Sequence, residues 1–263
     1  MIPRAYITEW RKKAPWKTNA QVEQDLVIER TIVELFTDNF ISENLAFRGG
    51  TALHKLHVKS QLRYSEDIDL VQIKAVPYGP IIDRIRKRLN FLGRPKRDQK
   101  IHNNTLTFSF DSEYPPIQRL KLKIETNCRE HFTVLGYIQR QFEVISSWFT
   151  GSCKLTTYKL EELLGTKLRA LYQRSKGRDL FDLYSTLKEN PDLNTDEILF
   201  CFKEYMQHST IQPPCKTVFL KNIDKKMQNP DFNGDVYGLL RTGVKYDPID
   251  AYELVKKEII EKF

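Results

Sequence analysis

Two aspartates flank an apolar residue in the segment Arg63-Tyr64-Ser65-Glu66-Asp67-Ile68-Asp69-Leu70. Ile68 and Leu70 alternate with Asp67 and Asp69, which predicts a strand with both carboxylates on one face and the apolar pair on the other. Carboxylates held that close repel, and each raises the other's pKa unless a cation lies between them. A hard divalent ion, magnesium or manganese, suits such all-oxygen donors. A third acid, Glu125, lies in Arg119–Asn127, where Leu120, Leu122 and Ile124 alternate with Lys121, Lys123 and Glu125. Glu125 therefore sits on the polar face of another strand and can face the same site. Three carboxylates can hold two ions around a reacting phosphate, one activating the attacking oxygen and one supporting the leaving pyrophosphate. A D-x-D pair alone is often only a surface feature, so its neighbours decide its meaning.

The neighbours are a glycine turn and a short helix. Leu45-Ala46-Phe47 reads as a brief strand, and Gly49-Gly50 closes it. A helix is expected over Thr51–Leu56 with Thr51 as its N-cap. Glycines let backbone approach a ligand closely, and N–H groups at a helix start point at anionic oxygens. Gly49 and Gly50 thus form a candidate phosphate cradle, with the Thr51 hydroxyl as a donor to a terminal phosphate. The plain alternative is a simple turn. The order is more specific than its parts: strand, glycine turn, helix, then D-x-D, with 15 residues between Thr51 and Asp67.

The remaining elements supply a frame. Helical spacing runs from Val22 to Phe40, and a basic helix is expected over Pro80–Leu92. Strands are expected over Thr105–Phe110, Arg119–Asn127 and Tyr137–Ile145. After about Ser152 strands give way to helices over Leu160–Tyr172, Leu180–Leu187, Glu197–Met206 and Asp250–Lys262. The fold class is α+β: a mixed-sheet domain over 1–150 and a helical domain over 151–263.

One helical residue is out of place. Leu160, Leu164, Leu168 and Leu171 form an apolar stripe, and Lys167 falls near its middle. An unpaired buried ammonium is costly, so the lysine either snorkels at the end of the stripe or reaches out to neutralise phosphate. In Lys176-Gly177-Arg178-Asp179-Leu180-Phe181-Asp182, Gly177 is expected to end one helix and the two aspartates to open the next, where they also suit the helix dipole. Asp179 falls beside the stripe of Leu180, Leu183 and Leu187, whereas Asp182 falls nearly opposite it. Asp179 is therefore the preferred site residue, and Asp182 a supporting one. Arg178 pairs with a phosphate or with a nearby carboxylate.

Charge narrows the partners. The net charge is +8, and residues 1–150 hold 24 basic against 17 acidic side chains. Eight of the basic ones fall between 84 and 100: Arg84, Arg86, Lys87, Arg88, Arg94, Lys96, Arg97 and Lys100. Such a run attracts phosphate backbones by counterion release, or is simply a solvated face. An apolar content of 40% against 29% charged excludes wholesale disorder. No apolar run is long enough to span a membrane, and the N-terminus lacks a secretory apolar segment. Four scattered cysteines without C-x-x-C spacing read as reduced thiols in a cytoplasmic protein. The histidines have no ligand spacing, and no Ser, Cys and His set forms a nucleophile–base arrangement.

The segments GGTALHKL and RYSEDIDL, with the later K-x-R-D-x-x-D run, resemble the AbiEii/AbiGii family of bacterial abortive-infection nucleotidyltransferase toxins. That family belongs to the DNA polymerase beta-like nucleotidyltransferase superfamily, and the likeness is carried by residues 47–70 and 163–184. The resemblance implies a polymerase-beta-like domain followed by a helical domain that completes a nucleotide cleft. It implies an NTP-using, magnesium-dependent enzyme, with Asp67, Asp69 and Glu125 on the metals and Lys167 and Asp179 contributing to activity. Arg48, Gly49, Gly50, Thr51, Ser65, Lys167, Arg178 and Asp182 are grouped as nucleotide-binding residues. It also implies the toxin of a type IV toxin–antitoxin pair with a cognate antitoxin, and a tRNA 3′ end as acceptor, which the basic segment suits. The alternatives are transfer to a protein side chain or a small hydroxylated molecule, and a nucleic-acid-binding module without catalysis.

Overall fold

The alternating strand around Leu122 lies near the middle of a seven-stranded mixed sheet. In the computed structural model, which describes residues 2–58 and 60–263, the chain forms two compact units. The first comprises residues up to Thr133 together with Tyr137–Tyr158, and the second Val134–Gly136 together with Lys159–Phe263.

The first unit begins with α1 (Arg4–Trp10), α2 (Asn19–Phe36) and α3 (Asn39–Asn44). A capping box between Thr18 and Gln21 starts α2, and Asp38 caps α3. The helical spacing expected through Phe40 is therefore two helices, broken at Asp38 because its carboxylate bonds backbone N–H better than it serves a helix interior. Then follow β1 (Leu45–Arg48), α4 (Gly49–Leu56), β2 (Asp67–Gln72), α5 (Gly79–Arg88), β3 (Lys96–Lys100), β4 (Asn103–Asp111), β5 (Arg119–Asn127), β6 (Tyr137–Ile145) and β7 (Thr150–Tyr158). The strand order is β3-β4-β5-β2-β1-β7-β6. β2 runs parallel to β5 and β1 parallel to β7, while the other neighbours are antiparallel. Ile68, Leu106, Phe108, Leu122 and Ile124 are buried on one face.

Two strands depart from the sequence reading. β3 carries Lys-Arg-Asp-Gln-Lys, every residue exposed, and exists because its backbone pairs in register with β4 at the edge of the sheet. Charge on an edge strand blocks pairing with other chains, so the absence of apolar residues there is no defect. β7 is rich in Thr, Gly and Ser and lies between β6 and β1. The expected boundary at 150 thus falls at the first residue of β7, and the first unit ends at Tyr158.

The second unit holds α6 (Leu160–Gln173), α7 (Gly177–Glu189), α8 (Thr195–His208), α9 (Lys216–Met227), α10 (Pro230–Gly234) and α11 (Pro248–Glu258). The stripe Leu163, Leu164, Leu168 and Leu171 of α6 is buried. α6 approaches α8 closely at Gly165, where a Cβ would lie 2.6 Å from that of Cys201. Among the described residues no helix is long and apolar enough to cross a membrane.

Candidate active site

Register brings the three acids together across neighbouring strands. Asp69 on β2 pairs with Glu125 on β5, and Asp67 pairs with Lys123. The same rows continue through Thr105 and Thr107 on β4 to Asp98 and Lys96 on β3. Asp67, Asp69, Glu125 and Lys123 thus share the polar face of the sheet. Their side chains are not arranged as a ready-made metal cage: among the described residues no three His, Cys, Asp or Glu side chains converge to hold an ion. Glu125 instead accepts from Lys123 Nζ at 2.5 Å and from Asn103 Nδ2 at 3.5 Å.

Electrostatics mark Asp67 as the group under stress. Burial, and then the neighbouring Asp69, push its carboxyl up to about 6, with Lys123 only partly offsetting them. Lys123 is itself raised by its bond to Glu125. The face carries more negative charge than its own lysine balances. A divalent ion would relieve that excess, and the donors are hard oxygens. Asp67 and Asp69 therefore fit such an ion, and Glu125 can join them on release of Lys123.

The glycine turn packs directly on this pair. Arg48 is paired with Asp69 across β1 and β2, and Gly49 follows with φ +80°. A Cβ at Gly49 would collide with the Asp69 carboxylate, and one at Gly50 would lie 2.5 Å from Arg63 Nη2. α4 begins at Gly49, not at Thr51, and no side chain of its N-cap Arg48 closes the first turn. The Thr51 position thus differs from the expected cap. It is fully buried in the first turn, where its hydroxyl donates to the Asp67 carbonyl and pairs with Ser65 Oγ at 2.7 Å. Thr51 and Ser65 tie α4 to the start of β2 and hold the turn against the aspartates. Arg48 is ion-paired to Glu130 at 2.5 Å. The far end of α4 is anchored by Lys55, whose ammonium lies 2.6 Å from both Asp25 and Glu29 of α2. Burial opposes its charge, yet those two acids raise Lys55 above the ordinary lysine range. Gly49→Ala is expected to reduce nucleotide binding and transfer more than tenfold, because a methyl group there must displace Asp69 and adopt a strained φ. Isothermal titration with a nucleoside triphosphate, alongside a melting curve, checks this.

In the second unit Lys167 neither snorkels nor stands alone. It is buried, 2.8 Å from Asp182 and 3.2 Å from Asp179. Arg174 makes two further bonds to Asp179, at 2.7 and 2.9 Å. Burial alone would raise Asp179, but Lys167 and Arg174 hold it below the usual carboxylate range. Two expectations change here, and for Arg178 one of its two expected partners is seen. Asp182 is as fully buried as Asp179 and meets Lys167 directly, because α7 is covered by α6 and α11 and has little solvent face. Gly177 opens α7 instead of ending α6, and glycine is required because a Cβ would overlap the Phe232 carbonyl oxygen. Arg178 faces a carboxylate, with its backbone N–H and its guanidinium both on Asp235 at 3.1 and 3.6 Å.

The basic run 84–100 does not form one patch. Arg88 turns onto Glu34 and Thr37, and Arg84 onto Asp38. Arg86, Lys87 and Arg94 line a separate surface hollow. Arg97 shares a sheet row with buried Leu106, so it lies on the opposite face from Lys96 and Lys100. Sequence reading passed over Arg174 and the Lys55–Asp25–Glu29 cluster, for which no local pattern exists.

A family model described as "Nucleotidyl transferase AbiEii toxin, Type IV TA system" matches residues 30–252. The chain belongs to the AbiEii nucleotidyltransferase toxin family. Two solved structures share its fold. MenT4, the nucleotidyltransferase toxin Rv2826c from Mycobacterium tuberculosis H37Rv, aligns over 100% of this chain and 91% of its own, with TM-score 0.64 and 12% identity. A putative nucleotidyltransferase from H. pylori aligns over 93% of this chain and 96% of its own, with TM-score 0.54 and 17% identity. No curated protein matches in sequence. This AbiEii chain is thus a nucleotidyltransferase toxin with the α+β fold expected of it, and the type IV family implies an antitoxin partner.

Proposed function

We propose that this AbiEii toxin takes an NTP with magnesium and transfers its nucleoside monophosphate to the 3′ end of tRNA. The observation that carries the reading is the D-x-D pair on the same sheet face as Glu125, packed against a glycine turn whose Cβ positions are filled by Asp69 and Arg63. Asp67 and Asp69 would hold the ion, which when bound supplies charge neutralisation at the reacting phosphate. The open first turn of α4 at Gly49 and Gly50 presents backbone N–H groups suited to phosphate oxygens. The acceptor hydroxyl attacks the α-phosphorus, the bond to the β-phosphate oxygen breaks, and pyrophosphate leaves. Glu125, released from Lys123, takes the hydroxyl proton.

The test incubates the protein with each α-labelled NTP and magnesium, adding total RNA or total protein in separate reactions. The expected result is label in the RNA fraction, none with chelator, and none with Asp67→Ala plus Asp69→Ala. Label in protein alone would replace the acceptor, and label in neither fraction would remove both macromolecular readings.

A further inference from the structure

Strand β5 carries a feature that nucleotide binding leaves unused. Below Glu125 its polar face presents Lys123, Lys121 and Arg119 at every second residue. Two residues of strand advance about 6.6–6.8 Å. That is close to the repeat of an extended sugar–phosphate backbone. The three cations therefore form a straight row that starts beside Asp67, the register partner of Lys123, and leads away along the sheet. Thr107 and Ser109 lie beside Lys123 and Lys121 on β4, and Lys96 lies beyond Thr107 on β3. Together with Asp67 these side chains line a groove of about 670 Å³. Lys121 and Arg119 are exposed, and Arg119 also pairs with Asp111 at 2.9 Å. Gln24 and Glu66 also line the groove, and Leu120 is the one apolar residue among those that line it.

We propose that this row is the track for a single-stranded nucleic-acid acceptor, its phosphates on Lys121 and Arg119 and its terminal hydroxyl directed to the Asp67 end. A row of cations with flanking hydroxyls and no apolar pocket suits phosphates better than a peptide. The proposal rests on the acceptor reading above, but its test does not depend on transfer.

A fluorescein-labelled 12-nucleotide RNA is titrated with the protein, without NTP or metal, and anisotropy is followed at several salt concentrations. Arg119→Glu plus Lys121→Glu is expected to weaken binding at least tenfold and to lower the salt slope by about 1.4, for two lost phosphate contacts on a single strand. Lys221→Glu plus Lys225→Glu makes the same net-charge change on exposed α9 positions, and is expected to weaken binding less than threefold. Arg119→Gln plus Lys121→Gln should fall between the wild type and the double reversal. No wild-type binding at low salt, an unaffected track variant, or an equal loss in the α9 variant would each overturn the track. Labelled RNA in the transfer assay with an unchanged KM for RNA in the track variant would overturn it while leaving the transfer reading intact. RNA binding through the track without any transfer would do the reverse.

Discussion

Asp67→Asn is expected to abolish nucleotide transfer and to raise the melting temperature of the metal-free protein by a few degrees. Both effects come from one cause. Burial and the adjacent Asp69 push the Asp67 carboxyl up to about 6, so its ionised form is disfavoured in the fold. An aspartate in the unfolded chain titrates near 3.9. Between those values the folded protein holds a proton that the unfolded chain has released, so stability falls as pH rises from about 4 to about 6 and stays lower above it. The full shift corresponds to roughly 3 kcal/mol. Discounted for the partial exposure of the side chain, about 1–2 kcal/mol remains. Asparagine removes that charge and should restore most of it, flattening this part of the stability–pH curve. The same substitution removes a carboxylate proposed to hold the ion. Loss of a group outside the coordination sphere typically costs roughly 10–100-fold, and loss of a direct ligand should exceed that. Melting curves at pH 5 and 8, paired with the labelled-NTP assay, measure both. A variant that is less stable at pH 8, or that keeps full activity, would contradict the assignment. A stability gain from deleting an active-site charge is the expected sign of a site arranged for a ligand and not for the empty fold.

Lys167→Met carries the second large effect, and in the opposite direction. Its ammonium is the shared partner of Asp182 and Asp179, both fully buried. Removing one partner of a buried ion pair typically costs about 3–5 kcal/mol, because the remaining charge is left uncompensated. Arg174 still serves Asp179, whereas Asp182 loses the ammonium that lies 2.8 Å from its carboxylate. The second unit should therefore lose much of its stability. Lys167→Met with Asp182→Leu removes both members, and most of the loss should be recovered. Urea unfolding of the wild type, the two single variants and the double variant completes the cycle. A cost below about 1 kcal/mol for Lys167→Met would show that the pair is not a structural element. Transfer measured in the double variant, where the fold is restored, separates loss of activity from loss of stability.

These two substitutions also separate what can be read locally from what cannot. D-x-D on a strand, the glycine turn and the alternation in β5 are patterns within ten residues, and period-2 spacing alone placed Lys121, Lys123 and Glu125 on one face. The lysine in the stripe of α6 was visible as an anomaly for the same reason. Its resolution was not, because the helical spacing of α7 assumes one solvent face, whereas α7 packs against both α6 and α11 and the buried Asp182 meets Lys167 of α6.

By itself the chain's order of residues determined the family, the α+β class and the strand faces on which Asp67, Asp69 and Glu125 lie. Only the tertiary structure decided that Glu125 stands opposite Asp69, since β2 and β5 pair in parallel across about fifty intervening residues and no short-range period encodes a partner strand. It alone turned the Thr51 and Ser65 hydroxyls inward, added β3 at the edge and β7 in the interior, and divided the basic run between faces. The reason is common to all of these. Hydrophobic periodicity reports which side of an element is buried, whereas pairing, charge neutralisation and the closing of hydroxyl pairs depend on what the rest of the fold brings alongside.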